Sequence, residues 1–200
     1  MKKKTILLLI ATFSFITSYS QGFKSKLILG ANACQVDGDQ NGGYNKFGPR
    51  FGFGISHPIS EKIDLGFEMA FSHKGSQTKQ DKDNPGLVII RYRYNYIDLP
   101  IIATYNFSKW SAHAGITTAY LINARSDDGG GFLEMENIKK VDFLSSLGAS
   151  YGLTEKLDVE ARYQYSLNSV LNDRGTSSVA FRRSGAFHNV ISITLNLKFN

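Results

Sequence analysis

The sequence holds a single cysteine, four prolines and one tryptophan, and its one long uncharged apolar run, Ile6 to Ile16, is too short for a membrane helix. Crossing the hydrocarbon core by helix takes about 20 mostly apolar residues. A lone Cys34 excludes an intramolecular disulfide, even on an export route that would permit one. It also lies well past the apolar run, so it is not placed as a lipid-anchored cysteine would be; it reads as a small residue in a strand. Beyond the first 20 residues no stretch sustains apolar positions at helical spacing. A dense Lys/Arg stripe that would track a phosphate backbone is missing as well, which argues against nucleic-acid binding.

What is present begins with Lys2, Lys3 and Lys4, then the apolar run, then Thr17, Ser18, Tyr19 and Ser20. A basic head, a short apolar middle and a small polar exit make a secretory signal peptide over residues 1–20, with cleavage expected near Ser20. That segment holds three of the 23 basic residues and none of the 17 acidic ones. The remaining 20 against 17 leave a net charge of +3, down from +6. Residues 21–200 suit one domain, without a Pro/Ser-rich linker or a composition break.

Within that domain, apolar and polar residues alternate with a period of two. Leu157, Val159, Ala161, Tyr163, Tyr165 and Leu167 interleave with Asp158, Glu160, Arg162, Gln164, Ser166 and Asn168. Ile63, Leu65, Phe67, Met69 and Phe71 form a second series, and Ile191, Ile193, Leu195, Leu197 and Phe199 a third. Less regular strands fit at about residues 24–34, 46–58, 90–105, 110–124 and 141–153. Eight strands result, each long enough to cross a bilayer at a tilt, which needs roughly 9 to 11 residues.

The connections alternate in length. Short turns at Ser60-Glu61-Lys62, Asn106-Phe107-Ser108-Lys109 and Thr154-Glu155-Lys156 each carry Ser or Thr and end on Lys. Longer loops, Gln35 to Asn45, Gly75 to Gly86, Arg125 to Lys140 and Asn168 to Ala186, are rich in Gly, Asp, Asn and Ser, the chemistry of solvated segments. This order predicts an all-β, eight-stranded, antiparallel up-and-down transmembrane barrel in the bacterial outer membrane. Both termini are expected in the periplasm and the four longer loops outside the cell.

Alternation alone does not say which face meets lipid, because a soluble barrel with an apolar interior has the same period. Composition decides it. The odd-numbered faces above carry no charge, as a lipid-facing band requires, since Arg or Lys at mid-bilayer costs roughly 2 to 4 kcal/mol. The opposite faces mix both signs of charge with Gly48, Gly52, Gly54, Gly66, Gly115, Gly148 and Gly152. An eight-stranded interior is just wide enough for side chains to fill. Arg50, Asp64, Glu68, Lys74, Asp98, Asp142, Asp158, Glu160 and Arg162 are therefore expected to form a structural charge network in the lumen. Two readings stand for Tyr92, Tyr94 and Tyr96: a headgroup-level girdle, shared with Phe107, Trp110 and Phe199, or simply an extended strand rim.

Several short runs resemble the PorT-like outer-membrane β-barrel domain family. They are Leu29-Gly30-Ala31-Asn32, Val36-Asp37-Gly38-Asp39, Gly43-Tyr44-Asn45-Lys46, Phe67-Glu68-Met69, His73-Lys74-Gly75, Tyr96-Ile97-Asp98-Leu99-Pro100 and Glu160-Ala161-Arg162-Tyr163. The resemblance spans nearly the whole domain and implies an outer-membrane barrel, one branch of the family being linked to protein secretion and surface motility. One departure is the ending Phe199-Asn200, where barrel-insertion signals usually finish on the aromatic itself.

The expected role is a non-enzymatic envelope scaffold or interaction module that works through its external loops, with outer-membrane lipids and envelope or secretion proteins as partners. The chain is expected to be a monomer without catalytic residues, cofactor or metal site. Asp37-Gly38-Asp39-Gln40-Asn41 hints at a calcium loop but lacks the downstream bidentate Glu, so it reads as a solvated turn. One alternative is a lipid-modifying barrel enzyme built on His73 or His188 with Ser72, Ser184 or Ser192. Strand neighbours Ser72 and His73 point to opposite faces, which counts against it. A narrow passive pore is the other alternative.

Overall fold

The computed structural model describes residues 22–39, 41–79, 89–172 and 185–199. The expected signal peptide, Gln40 of the first long loop, and parts of the second and fourth long loops, Ser184 included, lie outside these. Eight long strands make the wall: β1 Lys24–Asp37, β2 Lys46–Pro58, β3 Ile63–Gln77, β4 Arg91–Phe107, β5 Trp110–Asp127, β6 Val141–Gly152, β7 Leu157–Ser166 and β8 Phe187–Phe199. Every neighbouring pair is antiparallel, and pairing of β1 with β8 and of β4 with β5 closes the sheet into a ring. A two-residue strand, Leu133–Glu134, adds to β5 above the point where β6 begins.

Closure removes the free edges that would leave backbone donors and acceptors unpaired in lipid. The outward residues are the uncharged series: Leu65, Phe67, Met69, Tyr163, Ile193 and Leu195 are all exposed. The inward positions are largely buried, and glycine lets neighbouring strands approach closely there. At Gly52 an added Cβ would collide with the Met69 carbonyl, and at Gly115 with that of Ile101. The turn joining β4 to β5 has two residues, and Ser108 adopts φ +57°, the left-handed conformation that such tight hairpins demand.

At the other end the strands run past their predicted limits. β1 continues to Asp37, β3 to Gln77 and β5 to Asp127, while the last strand, β8, starts at Phe187, directly after the expected loop end at Ala186. The reason is the ladder: Asp37 opposite Phe187, Gln77 opposite Arg91 and Arg91 opposite Asp127 remain paired after the apolar alternation has ended. One bulge interrupts it, where Ile122 is skipped between the pairs Tyr96–Leu121 and Asn95–Asn123. The bulge leaves both Ile122 and Asn123 on the outward side and turns Ala124 inward.

Candidate functional site

The lumen divides into a polar vestibule at the turn end, a belt of ion pairs across the middle and an apolar plug at the loop end. All nine residues expected in the charge network point inward. Arg162 on β7 and Glu68 on β3 stand on opposite sides of the ring. The guanidinium donates from Nη1 to Glu68 Oε2 (2.7 Å) and from Nη2 to Oε1 (2.8 Å), a two-pronged match that ties the walls together. Arg162 also pairs with Glu160 at 2.7 Å, and Lys26 reaches Glu68 at 2.7 Å and Glu160 at 3.6 Å. Toward the loop end Arg50 spans from Glu68 (3.5 Å) to Asp98 (2.9 Å), and Lys74 meets the second Asp98 oxygen at 2.9 Å.

Charge of this kind is tolerable in a dry interior only when each group has counter-charge and hydrogen bonds. The belt meets that condition by sharing: Glu68 serves three cations and Asp98 two. Asp142 lies apart from these contacts and accepts from Ser166 Oγ at 2.7 Å. Asp64 and Asp158 occupy the turn end, paired with Lys24 (3.1 Å) and Lys198 (2.9 Å). Around them opens a cavity of about 680 Å³, lined among others by Lys26, His113 and Glu160.

The apolar plug goes beyond the sequence expectation. Tyr94 and Tyr96 are 3% and 0% exposed and point inward, packed with Val36, Leu121, Ile138, Leu144, Val170 and Ala186. They are therefore not part of a girdle, whereas Phe107, Trp110 and Phe199 do face outward. Parity carries the signal: Tyr94 and Tyr96 share a strand face with Asp98, and Leu144 shares one with Asp142. The structure also adds Lys24, Lys26 and Lys198 as counter-ions, and the polar set Asn32, Thr117, Ser146 and Gln164. Gln164 Nε2 donates to Thr117 Oγ1 at 3.0 Å and Ser146 Oγ at 3.2 Å.

The histidines and loop aspartates have specific contacts. His188 Nε2 is 3.2 Å from Tyr96 Oη, His73 Nδ1 is 2.6 Å from Asn95 Oδ1, and His57 packs against Phe23. Ser72 and Ser192 both bond Asn32. His73 and Ser72 face opposite sides of β3, as their spacing requires. Asp37 accepts from Gln35 (2.8 Å) and Asn189 (3.4 Å), and Asp39 from Ser76. Burial raises the Asp39 carboxyl above its usual range, opposed by the Ser76 hydroxyl. These bonds sew the first loop to the ends of β3 and β8, and among the described residues no cluster of three or more His, Cys, Asp or Glu forms a metal site.

A closed eight-stranded ring, apolar outside and ion-paired within, meets the matching family described as outer membrane protein beta-barrel domain, which covers residues 13–172. The chain belongs to this family. As an outer-membrane barrel it resembles two solved structures closely in architecture and distantly in sequence. One is Ail, the attachment invasion locus protein of Yersinia pestis, at 12% identity and TM-score 0.54 over 90% of this chain and 100% of that one. The other is Neisserial surface protein A, at 13% identity and TM-score 0.53 over 90% and 98%. No curated protein sequence matches the chain. The outer-membrane barrel thus has its fold in common with these proteins.

Proposed function

We propose that this outer-membrane barrel is a non-enzymatic scaffold or interaction module whose contacts are made at the loop end. The observation that carries this reading is the filled lumen. Arg162, Glu68, Arg50 and Asp98 cross the middle of the barrel, and Tyr94, Tyr96, Leu121 and Leu144 block it above. With the middle and loop end of the interior committed to side-chain packing, what remains for recognition on that side is the surface held out by the wall. On this reading the termini and short turns face the periplasm, the long loops face outward, and a monomeric barrel engages lipids and envelope proteins. A link to secretion machinery rests on the resemblance of the runs around Asp98 and Arg162 to the PorT-like family, one branch of which has that role.

Purified barrel in planar bilayers tests the alternatives in one preparation. The expected record has no stable open-channel steps, and labelled phospholipid incubated with the same protein stays unmodified. A persistent conductance would favour the passive pore. Lipid turnover abolished by His73→Ala would favour the enzyme.

A further inference from the structure

The outward face of the barrel is apolar until the loop end, where it changes abruptly on β4 and β5. Going up β4, the outward positions read Ile101, Leu99, Ile97, Asn95, Arg93 and Arg91; on β5 they read Tyr120, Ile122, Asn123, Arg125 and Asp127. The first polar row is a hydrogen-bonded chain across three strands. Asn95 Oδ1 meets His73 Nδ1 at 2.6 Å, and Asn95 Nδ2 donates to Asn123 Oδ1 at 2.8 Å. The next row sets Arg93 directly opposite Arg125. At 3.3–3.4 Å rise per residue and a tilt near 40°, this row stands about 10 Å above Ile97, within reach of lipid headgroups.

Two like charges at directly opposed cross-strand positions repel one another. The local carboxylates do not cancel them. Asp127 pairs with Arg91 at 3.4 Å, and Glu134 with Arg125 at 3.7 Å. Arg93 has no carboxylate partner among the described residues. Arg93 instead lies over the Phe132 ring, its Cζ 3.8 Å from the centroid. Its Nε is buried without a hydrogen-bond partner, and no carboxylate takes up its terminal N–H donors, the groups that bond phosphate oxygens. At the turn end, by contrast, the outward face presents Phe107, Trp110, Tyr151 and Phe199.

We propose that Arg93 and Arg125, flanked by Arg91, form a binding site for the phosphate of a phosphorylated lipid headgroup in the leaflet at the loop end. The phosphate relieves the Arg93–Arg125 repulsion, and the lipid's acyl chains run down over Ile97, Ile122 and Tyr120. The site lies at the membrane boundary, so the lipid form of the phosphate is favoured over the free ion: both chains and headgroup have a place against the wall.

The test uses the whole barrel reconstituted in phosphatidylcholine nanodiscs doped with phosphatidic acid, released into the mass spectrometer with its retained lipids. Wild type is expected to retain phosphatidic acid over phosphatidylcholine by about tenfold or more, the scale of one or two charge-assisted bonds. The double variant Arg93→Gln/Arg125→Gln loses that preference, and excess inorganic phosphate in the buffer leaves it intact in wild type. Equal retention by wild type and variant, or complete displacement by inorganic phosphate, overturns the proposal. Should the Gln pair not fold, Arg93→Lys/Arg125→Lys keeps the charge and removes the planar fork. It is expected to lower the preference several-fold, and an unchanged preference again overturns the proposal.

Discussion

Glu68→Ala unfolds at a clearly lower urea concentration than the wild-type barrel, by about 3 to 5 kcal/mol of stability, the usual cost of breaking a buried ion pair by removing one partner. The size follows from the sharing of Glu68 among Arg162, Lys26 and Arg50. Without it, a buried Arg162 keeps only Glu160, and Arg50 keeps only Asp98. The loss is an unpaired charge in a narrow core rather than a missing contact. Arg162→Ala is expected to cost a similar amount, and the double variant Glu68→Ala/Arg162→Ala less than the two combined, because the second change removes the charge that the first one orphaned. Reversible urea titration of the barrel folded into phospholipid vesicles reads this as a shift in midpoint at constant slope. A Glu68→Ala midpoint within about 0.5 kcal/mol of wild type, the range of an ordinary surface substitution, would contradict the belt's role.

The second large effect separates a membrane wall from a soluble surface. Ile193 is 52% exposed at the middle of β8, between Ala31 and Ala161 on the neighbouring strands. In water, arginine at such a site is close to neutral. Facing the bilayer midplane it costs roughly 2 to 4 kcal/mol. Leu133, 68% exposed beside the loop end of β5, supplies the control, and Leu133→Arg is expected to change stability by less than about 0.5 kcal/mol. The same titration in vesicles compares the two. Equal effects of Ile193→Arg and Leu133→Arg would mean that residue 193 does not meet lipid.

Much of the wall is legible in the sequence because a strand's faces alternate with a fixed period, and a long apolar series without charge needs an apolar medium on that side. Leu157 to Leu167 and Ile191 to Phe199 show it without structural help. The inward placement of the nine charged residues follows from the same parity. Pairing within the belt does not: Arg162 and Glu68 are 94 residues apart, and only closure of the ring sets β7 against β3. The plug is harder to see because tyrosine as a residue type suggests an interface, whereas the face that Tyr94 and Tyr96 share with Asp98 places them inside. Ala124 is beyond the reach of parity, since the bulge at Ile122 shifts the alternation by one, whereas Leu121 still shares a face with Thr117 and Ala119. The strand extensions are hidden for a third reason. Arg91, Arg93 and Arg125 on the outward face erase the apolar–polar contrast while the backbone ladder continues unchanged.

Site-directed spin labels along β8, introduced in a Cys34→Ala background and read in phospholipid vesicles, test the orientation of the wall directly. Labels at 191, 193 and 195 are expected to collide freely with oxygen dissolved in the bilayer and hardly at all with a water-soluble nickel chelate, while a label at 194 meets neither. Chelate access at 193 and 195, or a packed 193 with an oxygen-exposed 194, would show that the apolar residues do not face the lipid and that the charged belt is not enclosed.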